Sequence, residues 1–347
     1  MTVNVISSEP LFLKTCLYQT LKEHPLGFID IGAMGAIHPI ISPISSLTHV
    51  VCFEPHTEEQ QKLIQKYAEH PYKELTILNS AISSDNKAKQ PLHIAKNSNN
   101  SSLLFPHRSF MERYNLDGVV ITHSENVRTE TLDQIYSRSD SYTEKMGEFL
   151  KIDAQGLTYE VLMGSSRLLT ENCKAVWCEV EFTEIYTGQK KVSDVVKKLE
   201  EYGFCWFGLY PGYLSNKMLD RRRHETAERI VWADAFFFKD PLDEINQQRK
   251  FTTRDIHVLI VVAVITKYYD YALELTSKFI DDPKDRLQIE KFIKHVAKID
   301  QGALMESVKD LSLSCQNDPE NVYLHIHKFI SSHKSHSDLN FLLKSGE

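Results

Sequence analysis

The sequence has no excess of positive charge and no long apolar run. Its 347 residues include 40 Lys and Arg against 47 Asp and Glu, which gives a formal net charge of −7. A general nucleic-acid-binding protein needs a basic face, so nucleic acid is not a predicted partner. The longest apolar run, residues 258–265, is well short of the roughly 20 residues that cross a bilayer, so no membrane span is predicted.

Cysteine is sparse and scattered. The six cysteines lie at positions 16, 52, 173, 178, 205 and 315, with no Cys-x-x-Cys pair to indicate zinc and no disulfide framework. Residues 1–10 lack the basic start and apolar core of a signal peptide. These absences predict a cytoplasmic protein with reduced, buried thiols.

Glycine is also limited, and the full Gly-x-Gly-x-x-Gly of dinucleotide sites is missing. What is present is an apolar run over residues 26–31 that contains Asp30 and breaks at Gly32 and Gly35. Gly32 allows a tight turn and the close approach of a ligand, as at the end of the first strand of a nucleotide-binding sheet. About twenty residues further on, a second apolar run ends in Glu54, where an acid can hold both hydroxyls of a ribose.

The acid before the first glycine favours S-adenosylmethionine (SAM) as the ligand. SAM has an adenosine and a cationic amino-acid tail but no pyrophosphate, so its site needs carboxylates more than a phosphate-binding loop. Two alternatives stay open: a ligand-free turn between strand and helix, and a nucleotide-dependent oxidoreductase, which Asp30 and the missing third glycine disfavour.

Strand-like and helix-like segments alternate as far as about residue 200, and only helical patterns follow residue 250. We therefore predict an α/β fold: a doubly wound, mostly parallel, seven-stranded Rossmann-like sheet with an antiparallel edge pair and an all-helical C-terminal extension. The predicted division is an N-terminal helix in residues 1–24, a SAM-dependent methyltransferase domain in 25–240 and a helical domain in 251–347. In the methyltransferase domain we predict a third strand over 75–82 and a single helix over 157–169. In the helical domain we predict a single helix over 255–280 and separate helices over 285–298 and 302–313.

Ligands of such sheets bind beyond the carboxyl ends of the strands, and acids cluster there. The predicted cofactor contacts are Asp30, Gly32, Ala33, Gly35, Glu54, Ser80, Ala81 and Asp153, and the predicted catalytic residues are Asp153, Lys151, Gln155 and Glu181. Asp153 is the candidate base for the acceptor proton, or a ligand of a divalent metal, which no other sequence feature supports. His38 is a weaker candidate base that is more typical of a surface loop.

Two of these assignments have a competing structural explanation. Lys151 lies inside a predicted central strand, where a charge is costly unless paired. It can instead neutralise Glu179 or Glu181 on the next strand. The polar run over residues 97–102 is either a lid over the ligand or a plain connection.

Several motifs in order resemble the FkbM-type methyltransferases. They are FIDIGA at residues 28–33, FEP at 53–55, TLD at 131–133, LKIDAQG at 150–156, EFTEIY at 181–186 before Gly188 and Gln189, and WADAFF at 232–237. The resemblance covers residues 25–240 and implies a SAM-dependent O-methyltransferase, often acting on sugar or polyketide hydroxyls. It implies cofactor contacts at Gly32 and Glu54 and a substrate-side role for Asp153.

The sequence departs from the family pattern at two places. Gln155 stands where many members have glutamate, which puts a glutamate-dependent metal site in doubt, and Ala36 replaces a small glycine. The leading hypothesis is methylation of a hydroxyl on a small-molecule, sugar or glycan acceptor. The alternative is a non-catalytic binding protein on a degenerate methyltransferase scaffold.

Two further regions carry open alternatives. Residues 221–223, all arginine, either hold a phosphate or carboxylate of the acceptor or form a solvated loop. The apolar first helix of the C-terminal extension has more than one face to bury, which predicts either a homodimer through that extension or a self-contained bundle.

Overall fold

The structure is a computed structural model that describes residues 5–138, 146–216, 218–219 and 227–332. The strands are β1 Leu26–Ile31, β2 Thr48–Phe53, β3 Glu74–Leu78, β4 Ala81–Ile82, β5 Lys87–Ala95, β6 Ile121–Glu130, β7 Phe149–Ile152, β8 Ala175–Glu181, β9 Cys205–Leu214 and β10 Arg229–Phe238. The α-helices are α1 Cys16–Glu23, α2 Thr57–Lys66, α3 Arg108–Tyr114, α4 Leu132–Arg138, α5 Thr158–Met163, α6 Ser166–Glu171, α7 Val192–Glu201, α8 Thr253–Ile265, α9 Tyr269–Phe279, α10 Pro283–Asn317 and α11 Val322–Ser332.

Within these residues the main sheet has seven strands in the order β3-β2-β1-β7-β8-β10-β9. The strands are parallel except β10, which runs antiparallel between β8 and β9. The predicted fold is confirmed, including the antiparallel pair at one edge. The order reverses beside β1, so the carboxyl ends of β1, β2 and β7 open onto the crevice where open α/β sheets bind ligands.

Both faces of the sheet are covered by helices. Helices α4 to α7 pack on one face, with Val161, Leu168 and Leu199 fully buried in its core. Helices α1, α2 and α8 cover the other face, around Phe28, Phe149, Phe236 and Phe238. A smaller sheet of β4, β6 and β5 lies beside the crevice.

Helix α8 is part of the core under the sheet. All ten residues from Ile256 to Ile265 are buried, in one cluster with α1 and the central strands. Arg254 at its start forms a bidentate ion pair with buried Glu148, both N–O distances being 2.8 Å, and Glu148 accepts the N–H of Gly27 at the start of β1. The predicted boundary near residues 240–250 therefore separates the sheet from a helix that covers it.

Several helix and strand bounds differ from the prediction. The predicted strand 75–82 divides into β3 and β4, and the helix 157–169 divides into α5 and α6 at Gly164. The helix 255–280 breaks where Lys267 adopts a left-handed φ of 68°, and the amide of Tyr268 donates back to the carbonyl of Ala263. Conversely, residues 285–313 form one helix, because a single helix-interior glycine, Gly302, costs only about 1 kcal/mol.

Among the described residues, no helix is long and apolar enough to cross a membrane.

Candidate active site

A cavity of about 380 Å³ opens at the carboxyl ends of β1, β2 and β7. Its size is in the range of pockets that enclose small ligands. Of the predicted cofactor contacts, the structure brings together Gly32, Glu54, Ser80, Ala81 and Asp153 in its wall. The opposite wall comes from residues 98–103, so the polar loop that follows β5 closes over the cavity.

Gly32 joins the first turn to the end of β7. Its φ is +79°, and the amides of Gly32 and Ala33 both donate to the carbonyl of Phe53 at 3.2 Å. A Cβ at Gly32 would lie 1.9 Å from the carbonyl oxygen of Asp153. The turn therefore needs glycine for its backbone angle and for the close contact with the next strand end.

Ala33 and Gly35 do not line this cavity. Ala33 is fully buried in the core that contains α1 and α8, because its side chain points away from the turn's open side. Gly35 is exposed with φ +72°, and its carbonyl accepts a bond from Lys66 at 2.7 Å. Both residues shape the turn, and their predicted contact with the cofactor stays a prediction.

Glu54 presents a carboxylate to the cavity although its residue is only 4% exposed. One oxygen, Oε1, accepts the amide of His56 at 2.8 Å. Burial raises the pKa of Glu54 to about 7, with the His56 amide opposing the shift. An ionised Glu54 can accept hydrogen bonds from both hydroxyls of a ribose.

Two polar atoms in the same wall lack partners. Among the described residues, Ser80 Oγ and His56 Nδ1 are buried without a hydrogen bond. Buried polar atoms are rarely left unsatisfied, so this wall fits a ligand with donors and acceptors of its own. Together with Glu54, these atoms fit the adenosine portion of SAM.

Asp30 lies behind the cavity rather than in it. The register of β1 and β7 pairs Asp30 with Lys151, and Lys151 Nζ lies 2.9 Å from Asp30 Oδ1. The expected alternative pair of Lys151 with Glu179 or Glu181 is wrong, because Trp177 is the neighbour of Lys151 on β8. The predicted direct cofactor contact of Asp30 does not fit this placement, since its side chain is fully buried beside Lys151.

Lys151 holds the glycine turn in place. Its ammonium also lies 3.1 Å from the carbonyl oxygen of Gly32 and 3.9 Å from Asp153 Oδ2. Burial disfavours the charged form, but the carboxylates of Asp30 and Asp153 outweigh it, so the pKa of Lys151 is raised. Lys151 is therefore a permanent cation and not a base.

His38 is not the surface histidine that the sequence favours. Its ring centroid lies 5.4 Å from that of Trp177, and its amide donates to Asp30 Oδ2 at 2.7 Å. Burial and the nearby Lys151 lower its pKa to about 4. His38 is thus neutral at physiological pH.

Asp153 and Gln155 occupy the bend after β7. The side chain of Asp153 is 41% exposed, and Oδ1 accepts a bond from Gln155 Nε2 at 2.8 Å. Gln155 has a φ of 47°, which directs its side chain across the bend. It also donates to Glu179 Oε1 at 3.3 Å and accepts the hydroxyl of Tyr186 at 2.9 Å. Gln155 therefore links the ends of β7 and β8.

A second cavity of about 450 Å³ adjoins the first. It is lined by Asn100, Phe110, Asn115, Leu116, Asp117, Gly118, Val119, Gln155, Glu179, Ile185, Tyr186, Leu214 and Trp232. Asn100 and Gln155 line both cavities. Two ligands could therefore meet at these two residues.

Glu179, and not the predicted Glu181, faces the second cavity. Glu181 is 1% exposed, lines neither cavity, and its Oε1 has no hydrogen-bond partner among the described residues. Burial and repulsion from Asp153 raise the pKa of both glutamates, that of Glu181 to about 8. Both carboxyls therefore keep their proton to a higher pH than an exposed glutamate does.

Tyr186 and Trp232 line the second cavity but were not among the predicted site residues. The Tyr186 hydroxyl donates to the carbonyl of Asn100 at 3.1 Å and so ties the lid loop to Gln155. Ser102 Oγ holds the same loop through the carbonyl of Gln155 at 2.7 Å. The only signals for these residues were the motifs at 181–186 and 232–237, which carry no role by themselves.

No metal centre is evident in the part of the chain that the structure describes. There, no group of three or more His, Cys, Asp or Glu side chains is arranged to hold an ion. Residues 221–223, considered for an anionic group of the acceptor, lie outside the described residues.

Residues 40–205 match the family model of the methyltransferase FkbM domain. This chain carries an FkbM-type methyltransferase domain. The match includes Glu54, Ser80, Gln155 and Glu179, and it begins after the glycine turn that completes the cofactor cavity. The predicted resemblance and the prediction of a SAM-dependent methyltransferase are confirmed.

Two solved structures are also similar to this chain. Both are magnesium protoporphyrin IX methyltransferase (ChlM) from Synechocystis PCC 6803, one with bound SAM and one with bound SAH. They share 12% and 11% identity with this chain, and the alignments cover 63% and 65% of it and 75% and 80% of the ChlM chains. The TM-scores of 0.28 and 0.29 are too low to bear on fold or function. No curated protein matches the sequence.

Proposed function

We propose that this protein is an O-methyltransferase that transfers a methyl group from SAM to a hydroxyl of a sugar or glycan precursor. The observation that carries the proposal is that two cavities, each large enough for a small ligand, share Asn100 and Gln155. One cavity has the carboxylate and unpartnered polar atoms that fit SAM. The other leaves room for an acceptor. The sugar part of the proposal rests on the family resemblance.

The residues of the first cavity would hold the cofactor. Glu54 would accept the ribose hydroxyls, and Ser80 and Ala81 would lie beside the adenine. Gly32 keeps the first turn close to Asp153. SAM, when bound, supplies an electrophilic methyl group on a sulfonium.

Asp153 would take the proton of the acceptor hydroxyl. Its side chain is 41% exposed, so its carboxylate is accessible from the cavity. Its Oδ2 lies 3.9 Å from Lys151 Nζ. Gln155 Nε2 holds Oδ1, so Oδ2 is the oxygen that faces a proton donor. Direct displacement depends on alignment of the reacting atoms, and the Lys151–Asp153–Gln155 contacts hold the base in one position.

Glu179 would act as a hydrogen-bond donor to the acceptor. Burial and the nearby Asp153 raise its pKa well above the usual range, which favours the protonated carboxyl. A protonated carboxyl can donate a hydrogen bond that orients a hydroxyl. Glu181 would support this arrangement from its buried position on β8. The proposed steps do not require a divalent metal.

The test is transfer of labelled methyl from SAM to mixtures of sugars and glycans. Asp153→Asn should keep SAM affinity by calorimetry and lose about 100-fold or more in turnover, which is typical of a lost general base. If the variant retains near-normal turnover, the base lies elsewhere.

We further propose a cytoplasmic location and a homodimer through the helical extension in residues 251–347, whose first helix, α8, belongs to the core under the sheet. The last half of α10 and α11 expose apolar side chains: Ile299 at 55%, Met305 at 48%, Leu313 at 55%, Tyr323 at 38%, Ile326 at 36% and Ile330 at 41%. Because α8 covers the sheet, truncation after residue 298 should leave a folded monomer, whereas truncation at residue 240 should not fold. Light scattering of the full chain decides the point, since a monomer at high concentration contradicts the dimer.

A further inference from the structure

The second cavity has a composition that restricts what it can bind. Three aromatic side chains contribute to its wall, Phe110, Tyr186 and Trp232, and they alternate with amide and carboxyl groups. Aromatic rings bind apolar surfaces, and the amides and acids supply hydrogen bonds to hydroxyl groups. Such a wall suits a ligand that is apolar on one face and polar at its edge.

The ring of Trp232 is fixed by the strand beside it. Trp232 pairs with Gly212 across β10 and β9, and a Cβ at Gly212 would lie 2.1 Å from Cε2 of the indole. The indole therefore rests on the bare backbone of Gly212. One side of the ring is occupied by the protein, which leaves its exposed part to the cavity.

The wall of this cavity carries no cation. None of its lining residues is Lys, Arg or His, within the part of the chain that the structure describes. Its two acids, Asp117 and Glu179, offer no opposite charge to an anion either. Asp117 is ion-paired with Lys96, which does not line the cavity, and burial raises the pKa of Glu179 and so favours its uncharged form.

An anionic ligand would therefore lose hydration without gaining an opposite charge from the described residues of the wall. An isolated carboxylate or phosphate is costly to bury unless an opposite charge meets it. The cofactor cavity differs in this respect, since the carboxyl groups of Glu54 and Asp153 in its wall suit a ligand that carries positive charge, such as SAM.

We infer that the second cavity binds an uncharged, ring-shaped polyol, such as a neutral glycoside, with one ring face on Trp232, and that it rejects phosphorylated and carboxylated acceptors. This assignment rests on the proposed methyl transfer and narrows its acceptor class. The hydroxyl to be methylated would lie near Gln155, where the two cavities meet.

The experiment compares matched sets of ligands. Methyl glycosides of glucose, galactose and mannose form the neutral set, and their 6-phosphates and 6-uronic acids form the anionic set. Binding to the full chain is measured by saturation-transfer NMR, and SAM affinity is measured separately by calorimetry. Neutral members should bind, and each anionic partner should bind about tenfold more weakly or not at all.

Two variants and a control locate the binding site. Trp232→Ala should weaken the binding of neutral glycosides by about tenfold, while the Kd for SAM changes less than about twofold. Trp206→Ala is the matched control, because Trp206 is 44% exposed on β9 and lines neither cavity. Asp117→Lys places a cation in the wall and should raise the affinity for the anionic set. This variant tests the inference even if Trp232→Ala does not fold.

The possible outcomes separate this inference from the proposed function. Loss of neutral binding only in Trp232→Ala supports it. Anionic members that bind as well as neutral ones, an unchanged Trp232→Ala, or no neutral binding beside normal SAM affinity overturn it and leave methyl transfer standing. Neutral binding in a protein that fails to bind SAM overturns the proposed function and keeps the cavity assignment.

Discussion

The two cavities of this protein are built in different ways. The cofactor cavity takes most of its wall from the first residues after β1, β2, β3 and β7, which the sheet brings to one edge. The acceptor cavity draws on a helix, loops and the ends of three strands, from Asn100 to Trp232. The first cavity is thus formed mainly at the ends of strands, and the second by more varied elements. Substitutions should be separable into those that affect one ligand and those that affect the other.

The largest expected effect is that of Gly32→Ala. A Cβ there would meet the carbonyl oxygen of Asp153 at 1.9 Å, so the turn must move away from β7. We expect a loss of about 3 kcal/mol in the free energy of unfolding and at least about 100-fold in SAM affinity. Gly35→Ala is the control, because its φ is also positive at +72° but no atom lies within 4 Å of its Cβ. Equal effects in the two variants would disprove the close contact.

Glu181→Gln should show that the roles of the two glutamates of β8 differ, Glu181 acting on stability and Glu179 on turnover. The pKa of Glu181 is raised to about 8 in the folded protein, so the folded state binds a proton that the unfolded state loses near pH 4.5. Its contribution to the free energy of unfolding therefore declines as pH rises from about 4.5 to about 8. The free energy of unfolding of Glu181→Gln, relative to that of the unaltered protein, should therefore be about 1–3 kcal/mol higher at pH 8 than at pH 5. Thermal unfolding at the two pH values measures this difference. Turnover that falls as much as in Glu179→Gln would contradict this purely structural role.

SAM binding should depend on pH through Glu54. Its pKa is raised to about 7 by burial, so the carboxylate that accepts the ribose hydroxyls predominates only above that pH. The SAM Kd should rise by about tenfold as pH falls from 8 to 6. Calorimetry of Glu54→Gln provides the comparison, since this variant should bind weakly and evenly across that range. A flat profile in the unaltered protein would remove Glu54 from the ribose site.

Tyr186→Phe should give the smallest effect and should test the junction. The substitution removes one hydroxyl that donates to Gln155 Oε1 and to the carbonyl of Asn100. We expect a loss of about three- to tenfold in kcat/KM for the acceptor, with SAM affinity unchanged. Tyr213→Phe, at a residue 49% exposed on β9, serves as the control. A weaker SAM affinity in Tyr186→Phe would show that the two cavities are not independent.

The fold and the cofactor cavity could be read from the sequence because their signals are local. An apolar run, a glycine with positive φ and an acid at the next strand end lie within about thirty residues of each other. Gly32, Glu54 and Asp153 then meet without any knowledge of strand register. Helix breaks were harder to predict, since Lys267 adopts its left-handed conformation with no glycine or proline to mark it.

The partner of Lys151 and the residues of the second cavity could not be predicted from the sequence in this way. The partner of Lys151 depends on the register of β1 against β7, and that register is set by packing rather than by any residue in the motif. Glu179 and Glu181 lie on the same side of β8, so alternation alone cannot tell which one faces a cavity. Trp232 reaches the site only because β10 inserts between β8 and β9.

The position of α8 also constrains when the protein can fold. Thr20 Oγ1 and His257 Nδ1 lie 2.7 Å apart although 237 residues separate them in the chain. During synthesis, the part of the sheet that α8 covers stays exposed until the ribosome has released residues up to Ile265. Contacts of such long sequence separation slow folding, because the chain must close a large loop before it gains their stability. We expect nascent chains that end before α8 to remain chaperone clients even when every residue of the cofactor cavity has been made.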